Sequence, residues 1–389
     1  MRRAELNQIL EQMSLAHPRV SDLNFTVGRP CQIAADGKLH VCPPDIDTNT
    51  LVPYQTEQLA LCMIDNNRRL LYDLFRHGSC DFSYRLDTGT RFRVNVFSQK
   101  GTYSIVMRKL EEKVPSIEEL DLPKCFLKMA KEKNGIILFT GATGTGKTTS
   151  LAAILDEINK NEELHVITLE DPVEYVHKPR KATFNQRELG QDFDTFANGL
   201  RAALRQAPHV ILVGEIRDRD TVEIALNAAE TGHLVFSTVH TVSAGHTINR
   251  LLGMFSPEEE QHIRFRLADT IKWVVGQRLL PKKEGGRIAV FEIMQNNIRV
   301  KDCIINGERE NKTFYNIIDE GQTYDMQTFD HNIIQFFGKG LIDETTALTY
   351  ASNRAKVRQG IDKIKAGRGE ATTDIENLEI EKEYMVHQY

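Results

Sequence analysis

The run Ile136-Ile137-Leu138-Phe139-Thr140-Gly141-Ala142-Thr143-Gly144-Thr145-Gly146-Lys147-Thr148-Thr149-Ser150 decides the fold. The apolar stretch 136–140, too short for a helix and bounded by glycine, predicts a buried strand. Glycines then alternate with small residues, and Lys147 and Thr148 open a segment whose spacing predicts a helix over 148–159. Such a turn between a buried strand and a helix lets successive backbone N–H groups converge on anionic oxygens at a helix N-terminus. This context separates the motif from a chance Gly-Thr turn. Gly141, Ala142, Thr143, Gly144, Thr145, Gly146, Lys147, Thr148 and the adjoining Thr149 are therefore read as the cradle for the phosphates of a nucleoside triphosphate. In that reading Lys147 lies along the β- and γ-phosphates, and the Thr148 hydroxyl ligates Mg2+.

The same text repeats downstream. Short apolar runs at 166–170, 210–215 and 234–239 alternate with helical spacing over 195–206, 218–230 and 243–254, which predicts a parallel sheet covered on both faces. Ligands of such sheets collect at the carboxyl ends of the strands. Glu215 ends one strand there and is a natural partner of Mg2+ or water, with a surface pair to Arg217 as the plainer alternative. Glu170, Asp171 and Glu174 crowd the end of another, more charge than a turn requires. A general base must reach the attacking water, and position alone does not choose between Glu170 and Glu174. His233 and His240 bracket the last core strand, as γ-phosphate sensors or as ordinary buried histidines.

Outside this core, short runs at period two (24–28, 32–34 and 91–97) and helical spacing over 55–75 predict a small α+β domain. The expected division is an N-terminal domain over 1–110, a charged linker over 111–120, an ATPase core over 121–295, a helical region over 296–365 and a flexible tail over 366–389. With 41% apolar and 26% charged residues in a chain of 389, a globular protein of two domains is expected and general disorder is excluded. A formal net charge of −5 suggests no nucleic-acid coat. Six scattered cysteines suggest neither a disulfide framework nor a zinc site. No run of about 18 apolar residues occurs and the first residues are polar, so neither a membrane span nor a secretory signal is expected.

The motifs in order (the phosphate loop, Leu169-Glu170-Asp171-Pro172-Val173-Glu174-Tyr175-Val176-His177, the strand ending Gly214-Glu215, and Ala229-Glu230-Thr231-Gly232-His233) resemble the secretion ATPase superfamily. Within it the chain resembles the type IV pilus retraction ATPases of the PilT and PilU type. Asn185-Gln186-Arg187-Glu188, Leu204-Arg205-Gln206-Ala207-Pro208 and Asp325-Met326-Gln327-Thr328-Phe329-Asp330 carry the likeness further, Asp325 standing where that type usually has glycine. The loop, the helix ending 205–208 and the text past Tyr350 look closer to PilU.

The resemblance implies a PAS-like α+β domain, a RecA-like ATPase core and a C-terminal helical region. It makes Glu174 the base for water and brings Arg93 and Arg108 to the phosphates from the N-terminal domain. It also implies an ATP- and Mg2+-dependent homohexamer for twitching motility, in the cytoplasm at the pilus base. Its expected partners are a PilT-type ATPase and a PilC-like inner-membrane platform protein, with contact to the membrane only through partners and no nucleic acid. Two alternatives share the hydrolytic motifs: an assembly-type ATPase for pilus extension or secretion, whose usual four-cysteine metal site this sequence lacks, and a RecA-like nucleic-acid motor.

Overall fold

The computed structural model describes residues 1–42, 50–111 and 113–370. The expected tail beyond residue 370 and Glu112 of the expected linker lie outside the described residues. The chain divides into two compact units, one of residues 1–138 and 147–239, the other of residues 139–146 and 240–389.

The first unit opens with α1 (Arg3–Leu15), β1 (Val20–Phe25), β2 (Gln32–Ala35), β3 (Lys38–Val41), α2 (Pro53–Ile64), α3 (Arg68–His77), β4 (Ser79–Arg85), β5 (Arg91–Gln99) and β6 (Thr102–Lys109). The six strands form an antiparallel sheet in the order β3-β2-β1-β6-β5-β4. Alternation decides its faces. Phe92, Val94 and Val96 of β5 are fully buried among Leu6, Leu10, Leu59 and Leu74, so Arg91, Arg93 and Asn95 stand on the opposite face. The helical spacing expected over 55–75 is carried by two helices, α2 and α3. Asp65 and Asn66, with φ of 50° and 58°, break it, and the Asn67 side chain caps α3 by accepting from the amides of Arg69 and Leu70.

The unit continues with α4 (Cys125–Met129), the start of β7 (Gly135–Thr140), α5 (Lys147–Asn161), β8 (His165–Glu170), β9 (Thr183–Glu188), α6 (Phe196–Ala203), β10 (Val210–Val213), α7 (Arg219–Glu230) and β11 (Leu234–Val239). β10 pairs in parallel with β11 on one side and β8 on the other, and β8 pairs in parallel with β9. β8, β10 and β11 are apolar and buried almost throughout, whereas β9 reads Thr-Phe-Asn-Gln-Arg-Glu and was not expected as a strand.

The second unit holds the end of β7, the glycine loop 141–146, α8 (Ala244–Leu252), α9 (Pro257–Thr270), β12 (Ile271–Pro281), β13 (Arg287–Gln295), α10 (Ile298–Asn306), α11 (Phe314–Glu320), α12 (Phe329–Gly338), α13 (Glu344–Tyr350) and α14 (Arg354–Gly367). β12 and β13 form an antiparallel hairpin, an addition to the all-parallel pattern expected. Leu280 and Val290 of the hairpin share a buried cluster with Phe329, Ile333, Phe337, Ile342, Val357 and Ile361, which seats the last three helices.

Candidate nucleotide site

The glycine loop leaves β7 at Gly141, whose φ of 147° is open to glycine alone. A Cβ there would lie 2.4 Å from the carbonyl oxygen of Gln277 on β12, and one on Gly146 would lie 2.9 Å from the Gln277 side-chain nitrogen. Side chains are thus excluded where backbone must approach closely. The Thr145 hydroxyl donates to the Ala142 carbonyl at 2.9 Å and closes the turn. The Thr140 hydroxyl is bonded to the Thr241 carbonyl at 2.6 Å, and the Thr241 and Thr247 hydroxyls lie 2.7 Å apart, which fixes the segment carrying the exposed His240.

Across the next peptide bond Lys147 begins α5, buried at 7% exposure. Burial lowers its pKa, and the carboxylates of Glu215 and Glu174 oppose that shift, so the three groups share one neighbourhood. Glu215 follows β10, 9% exposed, and also pairs with Arg217 at 2.5 Å, so the plainer alternative coexists with the site reading. Thr148 is half-buried at the start of the helix, and the Thr149 hydroxyl lies 3.3 Å from that of Tyr175.

The acidic segment separates its carboxylates by environment. Glu170 is buried, its Oε1 accepting from Thr168 Oγ1 at 2.6 Å and from Gln186 Nε2 at 3.2 Å, and burial pushes its pKa up to about 7. Its oxygen is committed to neighbours inside the fold. Glu174 is only half-buried and stands near the Lys147 ammonium. Asp171 is raised by burial and held back by the charge of Arg93. Gln186 also donates to the Tyr175 carbonyl at 2.8 Å and accepts from the His177 amide at 2.8 Å, while the Val173 amide donates to Glu188 at 3.3 Å.

Arg93 therefore lies near the acidic segment, whereas Arg108, its cross-strand partner on the same face, has its Nε donating to Asp22 on the neighbouring strand at 2.9 Å. The residue that bonds the segment is Arg91, whose guanidinium donates to the carbonyls of Val173 at 2.5 Å and Glu174 at 3.4 Å. Sequence reasoning passed over it, although its place two residues before Arg93 on a strand puts both on one face. His233 needs a correction as a sensor on its own chain. It precedes β11, its ring held by the Ala228 carbonyl at 2.9 Å, and it lines a cavity of about 260 Å³ with Pro208 and His209 at the amino ends of the strands. Since Glu215 lies six residues beyond His209 along the parallel run, roughly 20 Å at 3.3 Å per residue separates His233 from the carboxyl edge.

The first unit thus brings a buried lysine and two carboxylates together near the carboxyl ends of parallel strands, and the glycine loop leads into that lysine through one peptide bond. The family model described as Type II/IV secretion system protein matches residues 81–345. The chain belongs to this family. It is 39% identical over 330 residues to the type IV pilus retraction ATPase PilT of Pseudomonas aeruginosa, covering 84% of this chain and 93% of PilT. It is 36% identical over 340 residues to the PilU ATPase of the same organism, covering 87% of each. A crystal structure of the pilus retraction motor PilT with bound ADP superposes with a TM-score of 0.81 at 36% identity, covering 91% of this chain and 98% of that one. The chain is therefore of the PilT and PilU type among these ATPases, with a mixed α/β fold matching PilT, and identities of 39% and 36% do not separate the two.

Proposed function

We propose that this protein couples ATP hydrolysis to retraction of a type IV pilus. The observation that carries the reading is the shared neighbourhood of Lys147, Glu215 and Glu174, with the glycine loop continuous with Lys147. The loop amides and Lys147 bind the phosphates, and a Cβ at Gly141 or Gly146 would run into Gln277 and force the loop out of this turn. The Thr148 hydroxyl and, through water, Glu215 would hold Mg2+, which when bound offsets phosphate charge. Half-buried Glu174 orients and deprotonates the attacking water, the task its buried neighbour Glu170 is placed to leave to it. Arg93 stabilises charge on the transferring phosphoryl group, and Arg108 joins it when motion of the N-terminal domain brings its strand closer and its guanidinium turns from Asp22 on the neighbouring strand. His240 reads the γ-phosphate.

In this reading the N-terminal domain is PAS-like and the core RecA-like. The protein works as a cytoplasmic homohexamer against a PilC-like platform, alongside a PilT-type ATPase in the manner of PilU. Glu174→Gln should cut Mg-ATP turnover at least about 100-fold while nucleotide still binds, as expected for loss of a general base. Wild-type turnover in that variant sinks the assignment. A strain lacking the gene should keep surface pili and lose twitching; loss of the pili instead would make the protein an assembly ATPase.

A further inference from the structure

Three contacts tie the N-terminal sheet and its helix α3 to the acidic segment and its neighbours. Arg91 of β5 donates to the carbonyls of Val173 and Glu174. The hydroxyl of Ser83 on β4 donates to Glu188 Oε2 at 2.7 Å, the same oxygen that accepts from the Val173 amide. The Arg69 guanidinium lies over Gly190, where a Cβ would come within 2.5 Å of it. Val173 is thus gripped at both its carbonyl and its amide, through residues that answer to the N-terminal sheet. Arg91 is half-buried, and burial lowers its pKa against the charges of Glu188 and Glu170.

We propose that Arg91 is a positioning residue for hydrolysis: by holding the carbonyls of Val173 and Glu174 it sets the backbone from which the Glu174 carboxylate reaches water, and it makes turnover follow the place of the N-terminal sheet. A guanidinium suits the task because its planar fork offers several donors in fixed directions and stays charged when partly desolvated. A displacement of the reacting geometry by about 1 Å can cost on the order of 100-fold in rate. The two outward positions of β5 then divide the work. Arg93 addresses the charge at Asp171, and Arg91 addresses the main chain.

The inference rests on Glu174 as the base, so the full-length protein is assayed as wild type, Arg91→Gln, Arg91→Lys, Glu174→Gln and the double variant Arg91→Gln/Glu174→Gln. Turnover of Mg-ATP is measured with binding of a fluorescent ATP analogue. Arg91→Gln should lower kcat about 10- to 100-fold with analogue affinity within about 3-fold of wild type, and Arg91→Lys should recover part of the loss. Added to Glu174→Gln, Arg91→Gln should cost nothing further, since residues acting as one unit are not additive. Wild-type kcat in Arg91→Gln, an equal fall in affinity and kcat, or full additivity with Glu174→Gln overturns the proposal. Should Arg91→Gln not fold, Ser83→Ala with the same readouts serves in its place, with a smaller fall in kcat expected and an unchanged kcat overturning it. If Glu174→Gln alone turns over normally, the reading of the base has failed, a result distinct from any failure of Arg91.

Discussion

At the scale of single residues, one short acidic segment contains two carboxylates that chemistry has sorted apart. Glu170 is pushed up to about 7 by burial, while Glu174 remains half in water beside a lysine. A buried carboxylic acid with a raised pKa holds its proton in the folded state at pH values where the unfolded chain has released it. Its contribution therefore favours folding at low pH and is lost as pH rises from the ordinary carboxylate range through about 7. Glu292, also raised to about 7 by burial, adds in the same direction. Glu170→Gln keeps an oxygen to accept from Thr168 and Gln186 and removes the titration. Its melting temperature should exceed wild type at pH 8 and converge on it at pH 5; a constant difference across that range would show that Glu170 is ionised in the fold. The choice between these two acids was not legible in the residues themselves, because it depends on Gln186 and Glu188, which reach the segment from a strand too polar to announce itself.

At the scale of elements, the buried parallel strands were legible because four to six apolar residues bounded by turn residues leave few other solutions. The strand expected over 234–239 is the one observed, Leu234–Val239, while that expected over 210–215 stops at Val213. The α2 to α3 break was missed because the helical spacing runs across it, and only the Asp65-Asn66-Asn67 turn betrays two helices. Asp325, in place of the glycine expected there, takes φ of 56° after a 3-10 turn, a conformation that glycine suits and aspartate tolerates. The glycine loop gives a graded test. At Gly144, with φ of 79°, an added Cβ meets nothing within 4 Å, so Gly144→Ala carries only a left-handed penalty of about 1 kcal/mol. Gly141→Ala meets the Gln277 carbonyl as well and must move the strand or the loop. ATP affinity measured by titration should fall more for Gly141→Ala, by about 5- to 150-fold if 1 to 3 kcal/mol of strain is passed to the loop. Equal affinities in the two variants would mean that the close approach of Gln277 does not shape the cradle.

At the scale of the whole molecule, the sequence announced two domains and placed their boundary near residue 110, yet the compact units divide elsewhere, with residues 1–138 and 147–239 together. Linker composition signals where a chain is polar, whereas compactness follows side chains such as Ser83 and Arg91 that cross from one sheet to the next segment, and no local pattern encodes such contacts. The helical region expected over 296–365 runs on past Tyr350 as a packed element. α14 buries Val357 and Ile361 completely against α12, and a Cβ at Gly360 would come within 2.5 Å of Ile334. Removing a large buried aliphatic side chain costs about 2 to 5 kcal/mol, and each kcal/mol moves the melting point of a unit of 150 to 250 residues by roughly 2 to 4 °C. Ile361→Ala should therefore lower the melting temperature by about 5 °C or more, while the exposed neighbour Lys363 replaced by Ala should leave it within about 1 °C, since surface changes are small. If both variants melt with wild type in calorimetry, α14 is an ornament on the second unit; if only Ile361→Ala falls, α14 is part of that unit's core.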